Sequence, residues 1–502
     1  MVEGERRGTG VLAPVAWAPL LGVLVLYAAG LSLLSARYGY HRDELYFRAA
    51  GRHLDWGYVD QPPLTPLLAR ASTAVFGDSL VGLRVCATLS AAATVLVVAL
   101  IARELGGGRG AQLLAAALAA TAAQLLAVGH MVSTATFDLL VWVTLSLLVL
   151  RLLRGGDRRW WLAAGAVTGL GVQNKYLVVA LAAVLLTALV RVGPREVLRT
   201  RWLVFGGALA LALAAPNVVW QATHDWPQFT VARGISEDDG AENRVLLVPQ
   251  QLVYLSPLFV PVWIAGWRRL WRAGELRWAR AFAVAYPLLC VVTLAAGGKG
   301  YYTVPLLVVL LAAGCEPVLR WVRAGRARVR RALVGVLLVL SAVVDAVLVL
   351  PVLPPDELAV PMAADPEQGE QLGWPELADA AREGWAVVPA ADRSRAVLFA
   401  VNYGEAGALD RYGPARGLPR PYSGHMSYAD WGPPPDSANG PVLLVRTRDA
   451  SAIERHFAGC RTVAGVDNGH DVDNEEQGGS VVLCTGPHPK WSTLWPSLRR
   501  AY

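Results

Sequence analysis

Apolar runs long enough to cross a bilayer recur along the first 350 residues of this 502-residue chain. No other feature limits its fold as tightly. A helical span needs about 20 mostly apolar residues. Backbone inside lipid must satisfy its own hydrogen bonds, so only helices and closed barrels cross. These runs are too long and too continuously apolar for barrel strands, which alternate. The chain therefore reads as an α-helical polytopic membrane protein. Spans are expected near residues 13–35, 79–102, 110–128, 134–153, 160–173, 176–191, 202–220, 247–267, 280–296, 301–319 and 332–351, about eleven in all.

Arginine placement sets the expected orientation. Segments near 103–109, 151–159, 191–201, 268–280 and 320–331 are arginine-rich and read as cytoplasmic. Segments 36–78, 129–133, 174–175, 221–246 and 297–300 carry fewer positive charges for their length and read as outward. The short pair 160–173 and 176–191 must be two spans turning at Gln173-Asn174-Lys175 to keep the alternation. The N-terminus, with Arg6 and Arg7, is expected inside as part of a retained first span. A cleaved signal peptide would have a shorter apolar core.

Composition changes near residue 352, where prolines, glycines and acids increase. Short β-prone runs open "AVLFAVNYGEAGALDRYG", "PVLLVRTRDASAIERHFAGC" and "SVVLCTGP", and the first two continue into helix-like sequence. The expected division is a transmembrane domain over 1–351 and a small extracytoplasmic α/β domain over 352–502. Of five cysteines, Cys86, Cys290 and Cys315 lie in apolar spans as small core residues. Cys460 and Cys484 can pair if the tail lies outside the cytoplasm. The net charge of +7 comes almost wholly from arginine, and no basic stripe interleaves with aromatics, so no nucleic-acid partner is expected.

The polar groups of the outward segments are the candidates for chemistry. "YGYHRDELYFRAAGRHLDWGYVDQPPL" places His41, Arg42, Asp43 and Glu44 at the outer end of the first span. Ionisable groups at a membrane boundary are costly unless solvated, paired or functional. A solvated loop, with Asp43 or Glu44 paired to Arg42 or Arg48, is the plain alternative. Downstream, Trp56 and Tyr58 read as headgroup anchors, and Pro62-Pro63 can start an interfacial helix. "HMVSTATFDLL" puts His130 in a short outer loop and Asp138 inside the next span, where bonding to Thr134 or a neighbouring helix is the alternative. Lys175 and Lys299 stand at two outer turns, the second followed by Tyr301 and Tyr302. They either snorkel to headgroups or clamp a phosphate. Arg233 and Arg244 are weaker candidates for the same work.

An enzyme acting on a lipid phosphate at the outer face needs such a set. An acid takes the proton of an acceptor hydroxyl. Cations hold the leaving phosphate. Phosphate leaves readily, so no second acid need protonate it, unlike glycoside hydrolysis.

The "RDELYF…GYVDQPPL" loop, "TFD", "NKY" and "GKGYYTVP" resemble glycosyltransferase family 39, the bacterial relatives of the dolichyl-phosphate-mannose protein mannosyltransferases and lipid A aminoarabinose transferases. The tail "NYGEAGALDRYG…YSGHMSYADWGPPP" is similar to that of actinobacterial members. The resemblance implies a GT-C fold, a sugar donor on polyprenyl phosphate, and inverting transfer at the outer face of a bacterial plasma membrane. It implies that Asp43 is the base, that Glu44 completes the acid pair, and that Asp138 is the second outer acid. Lys175, Lys299, Tyr301 and Tyr302 then surround the donor phosphate. His41, Arg42, Tyr58, Gln61 and His130 fall on the acceptor or loop side. Gln61 stands where the aminoarabinose branch has a lysine, so Lys299 is the expected replacement for that phosphate contact. The expected sugar is a hexose such as mannose, or a pentose, and the acceptor is a hydroxyl of a protein, lipid or glycan. Two other classes are a lipid-linked sugar flippase and an assembly subunit. The one-sided polar groups and the lack of a repeat disfavour transport. His41, His53, His130 and His224 show no ligand spacing, so no metal or other cofactor is assigned.

Overall fold

The computed structural model describes residues 11–487 and 489–502. Arg6 and Arg7 lie outside the described residues. The first helices are α1 (Trp17–Leu34), α2 (Arg42–Ala50), α3 (Leu64–Phe76), α4 (Leu80–Glu104), α5 (Arg109–Thr121), α6 (Ala123–His130) and α7 (Thr134–Leu153). Then come α8 (Trp160–Val172), α9 (Leu177–Val192), α10 (Arg201–Thr223), α11 (Pro227–Asp238), α12 (Gly240–Val253) and α13 (Val260–Arg272). The rest are α14 (Ala281–Ala296), α15 (Val304–Arg323), α16 (Ala327–Val349), α17 (Ala359–Ala364), α18 (Trp374–Val387), α19 (Tyr403–Tyr412) and α20 (Trp491–Leu498).

The chain forms two compact units. The first runs to Leu33 and adds Arg84–His224 and Ala232–Leu350. The second joins Leu34–Leu83, Asp225–Val231 and Pro351–Tyr502.

In the first unit, α1, α4, α7, α10, α15 and α16 are each long and apolar enough to cross a membrane. Two bent pairs raise the number to eight: α5 with α6, bent by 62°, and α12 with α13, bent by 71°. The shorter apolar helices α8, α9 and α14 occupy the other three expected positions. Both bends have local causes. Ala122 leaves the helical region with ψ 133°. Ser256 precedes Pro257, whose ring disfavours a helical conformation at the residue before it. The middle of α15, Leu306–Ala313, is buried on all sides and forms the centre of this unit. Glycines bring α8 and α10 into close contact. A Cβ on Gly165 would lie 2.0 Å from the Gly206 carbonyl oxygen, so no larger residue fits that crossing.

In the second unit, the strands are β1 (Val397–Ala400), β2 (Pro421–Tyr422), β3 (Val442–Arg446), β4 (Phe457–Ala458), β5 (Arg461–Gly465), β6 (Ser480–Cys484) and β7 (Gly486–Pro487). Five form a mixed sheet in the order β2-β1-β3-β6-β5, with β1 parallel to β2 and β3, and β6 antiparallel to β3 and β5. Alternation splits its side chains. Phe399, Leu444 and Val482 pack with Trp491 and Trp495 of α20, while Leu443 and Val481 meet α18 at Gly384. The three β-prone runs are thus β1, β3 and β6. The first continues into α19. The second continues into a 3-10 segment, Arg448–His456, rather than an α-helix. Cys460 and Cys484 form a disulfide that ties the β4–β5 loop to the end of β6.

Candidate functional site

The second unit explains most of the His41-Arg42-Asp43-Glu44 quartet as local structure. His41 is the N-cap of α2: its Nδ1 accepts from the Asp43 N–H at 3.2 Å. Glu44 completes a capping box, its carboxylate accepting from the His41 N–H at 2.9 Å. Glu44 is fully buried in this role. The other ring nitrogen of His41 bonds Glu367 at 3.0 Å. Burial opposes a charge on this imidazole, but the Glu367 bond and the charges of Asp43, Glu367 and Glu44 outweigh it and raise its pKa to about 9. Arg42 is ion-paired with Glu475 and lies 3.5 Å from Glu370. Arg48 forks onto Asp78 through two bonds of 2.7 and 2.6 Å.

Asp43 differs from its neighbours. Its Oδ1 accepts from the Tyr403 hydroxyl at 2.8 Å, and no described residue donates to its second oxygen. Tyr403 is the first residue of α19. That helix reaches α2 because Gly407 faces Leu45: a Cβ on Gly407 would sit 2.8 Å from the Leu45 Cβ. The Arg42 guanidinium lies over the Tyr403 ring, 5.0 Å from its centre.

Around this pair stand groups not expected from the sequence. Asp60, inside the "GYVDQPPL" stretch, accepts from the Tyr46 hydroxyl. Burial drives its pKa up to about 7, the Tyr46 bond opposes the rise, and the Asp43 charge adds to it. The Tyr46 and Tyr403 rings are 5.1 Å apart. The His425 ring is 5.3 Å from Tyr403, and neither of its nitrogens has a hydrogen-bond partner among the described residues. Burial, then the charges of Arg500 and Arg42, push its pKa down to about 3, so it is a neutral imidazole. Trp431 stacks on His53 at 4.5 Å. Two further expected residues belong here. The Tyr58 hydroxyl donates to the backbone of Ala50 and His53, so it fastens the loop after α2. Gln61 is 1% exposed, and its side-chain amide has no hydrogen-bond partner among the described residues.

The first unit gathers a different set. Asp138 lies one turn into α7 and accepts from Trp142 Nε1 at 2.9 Å, not from Thr134. A small cleft is lined by Asp138, Gln124, Tyr301, Tyr302 and Pro305. Lys175 donates to the Tyr301 hydroxyl at 3.2 Å, and its ammonium lies 5.1 and 5.0 Å from the centres of the Tyr301 and Tyr302 rings. Asn174 fixes that turn by donating to the Thr134 carbonyl at the head of α7. Lys299 points elsewhere: it is half-exposed, with Asp239 3.9 Å away. His130 is buried, 3.0 Å from the guanidinium of the equally buried Arg84. Arg84 was not expected, nor was Asp345, a buried acid in α16 that accepts from Ser341 at 2.7 Å. The signal for both was a charge inside an apolar run.

Among the described residues, none of His41, His53, His130 and His224 joins a metal-ligand group. Among the described residues one cluster has the right donors, Glu370, Glu475 and Glu476. Arg42 already pairs with two of them.

Residues 60–220 match the family described as dolichyl-phosphate-mannose-protein mannosyltransferase. Over 93% of this chain and 98% of the other, the fold superposes on ArnT from Cupriavidus metallidurans bound to undecaprenyl phosphate, with TM-score 0.62 and 16% identity. The fold is GT-C-like. The resemblance to glycosyltransferase family 39 is borne out over residues 60–220 by that family match. The archaeal oligosaccharyltransferase AglB from Archaeoglobus fulgidus, in complex with an inhibitory peptide and a dolichol-phosphate, superposes with TM-score 0.51 at 13% identity, over 88% of this chain and 72% of that one. The mycobacterial arabinofuranosyltransferase AftD superposes with TM-score 0.50 at 15% identity, over 95% of this GT-C-like chain but 42% of its own. No curated protein sequence matches the chain.

Proposed function

We propose that this protein is an inverting glycosyltransferase that moves a sugar from a polyprenyl-phosphate carrier to an acceptor hydroxyl. Asp43 is the general base. Its free oxygen takes the acceptor proton while Tyr403 holds the other oxygen in place. The acceptor oxygen attacks the anomeric carbon, the bond from that carbon to the phosphate oxygen breaks, and polyprenyl phosphate leaves with the electron pair. Lys175 is assigned to the leaving phosphate, and the Tyr301 hydroxyl and the Tyr302 ring orient its ammonium. Lys299 is assigned an outer contact with the same lipid headgroup. Asp138, held by Trp142, orients a substrate hydroxyl. Glu44, His41 and Arg42 position Asp43 through the cap of α2.

The observation that carries this reading is the contrast within the quartet. Three of its residues are committed to a capping box or an ion pair, and Asp43 alone keeps an oxygen available. The likeness in fold to ArnT, a protein solved bound to undecaprenyl phosphate, supports the donor class. The assigned sugar is a hexose such as mannose. The assigned location is a bacterial plasma membrane, with the N-terminus cytoplasmic and the domain 352–502 outside. The arginine-rich segments support that orientation, and so does the Cys460–Cys484 disulfide, which persists in oxidising compartments.

The test is transfer from radiolabelled polyprenyl-phosphate mannose and other labelled donors by the purified protein in liposomes. Label entering a glycosidic product supports the reading. Lipid-linked sugar that crosses the bilayer with no product formed replaces it with flipping.

A further inference from the structure

The first unit holds a second, larger space that the proposed chemistry does not use. It is a slot of about 150 Å³ among α7, α8, α9 and α10. Leu145, Trp161, Leu185, Leu189 and Leu203 line it, and its lining is almost wholly apolar. The Gly165–Gly206 contact closes one wall. Gly207 lies beside it, and a Cβ there meets no atom within 4 Å. Val204 and Phe205 on the same helix are exposed, as expected for side chains facing lipid tails.

One end of the slot is strongly basic. Trp202 adjoins the lining residue Leu203 and has two guanidiniums over its ring, Arg159 at 5.5 Å and Arg201 at 5.3 Å. Both arginines are exposed, and neither has a carboxylate partner among the described residues. Arg158, Arg191, Arg195 and Arg199 are at the same helix ends, against only Asp157 and Glu196. Lys175 sits past the other end of α8, roughly 18 Å along a helix of that length, so the slot is distinct from the assigned donor phosphate.

We propose that this slot binds an anionic diacyl phospholipid, with an acyl chain along the apolar wall and the phosphate between Arg159 and Arg201. Apolar surface takes the chain, the paired cations select a negative headgroup, and the arginine-rich side is where anionic lipid recognition by basic pockets is found. The site follows from the membrane fold alone and does not depend on the transfer reaction.

Native mass spectrometry of the full chain in detergent tests it, with phosphatidylglycerol and phosphatidylcholine of identical acyl chains as probes. Two arginines near the headgroup are expected to favour phosphatidylglycerol by roughly 30-fold. Arg159→Gln with Arg201→Gln is expected to remove that preference and leave phosphatidylcholine binding unchanged. Gly207→Leu, or Leu186→Trp if the first variant does not fold, fills the slot and is expected to weaken both lipids. Equal affinity for the two lipids in the wild type overturns the proposal, as does a preference that survives the double substitution. Displacement of phosphatidylglycerol by equimolar undecaprenyl phosphate also overturns it, because the slot then belongs to the donor lipid.

Discussion

Tyr403 donates a hydrogen bond to Asp43 across 360 positions of sequence, at 2.8 Å. The tail helix α19 thereby sets the orientation of the carboxylate assigned as base. A hydrogen bond to a charged group is worth about 1.5–3 kcal/mol. Tyr403→Phe should keep the fold, since the ring still packs on Tyr46 and under Arg42. It should lower kcat/KM for transfer by about 10- to 100-fold. Gly407→Val should cause a comparable loss by forcing α19 away from Leu45. A wild-type rate in Tyr403→Phe removes the tail from the mechanism.

Lys175 and Lys299 can be separated by donor kinetics. Lys175 is aimed by two tyrosines, whereas Lys299 is 41% exposed and held only by a distant acid. Lys175→Met should reduce kcat/KM by about 100-fold, in the range of a lost oxyanion donor. Lys299→Met should cost less than about tenfold. Steady-state rates against donor concentration check both, and a larger loss from Lys299→Met reverses the assignment.

The bond from buried His41 to exposed Glu367 makes stability depend on pH. The folded pKa of about 9 lies above the unfolded value near 6.5. Protonation therefore favours the fold. The contribution is complete below pH 6.5 and is lost as pH rises through 9. With Glu367 exposed, the expected size is roughly 2 kcal/mol. Thermal unfolding of the full chain should shift downward between pH 7 and pH 10, and Glu367→Gln should flatten most of that shift.

The Cys460–Cys484 disulfide closes a 24-residue separation. Loop-closure entropy assigns about 3 kcal/mol to a loop of that length. Cys460→Ser with Cys484→Ser should lower the unfolding midpoint of the second unit. Thermal scans of the full chain with and without reductant should reproduce that drop in the wild type only.

The membrane architecture was legible because hydropathy is a local signal. Each of the eleven expected spans coincides with an apolar helix or a bent pair. Bends were less legible, since Ala122 departs from the helix without a proline or glycine to mark it. In the candidate site, the sequence placed Asp43 beside His41, Arg42 and Glu44 but did not show that its carboxylate alone escapes the cap and the ion pair. The capping roles of His41 and Glu44 follow from their spacing of three residues at the start of α2. Tyr403 and Trp431 could not be read in this way, because their partners Asp43 and His53 lie hundreds of positions away, and His425 enters the site only by packing on Tyr403. Asp60 sat in the quoted motif, but its raised pKa comes from burial, which no local pattern reports.

The most direct measurement is single-turnover transfer from a radiolabelled polyprenyl-phosphate hexose by wild type and by Asp43→Asn, in liposomes with matched insertion. The expected result is product from wild type and a loss of at least about 10³-fold in the variant, with labelled lipid still bound. Transfer by Asp43→Asn at the wild-type rate would contradict the assignment of Asp43 as the base.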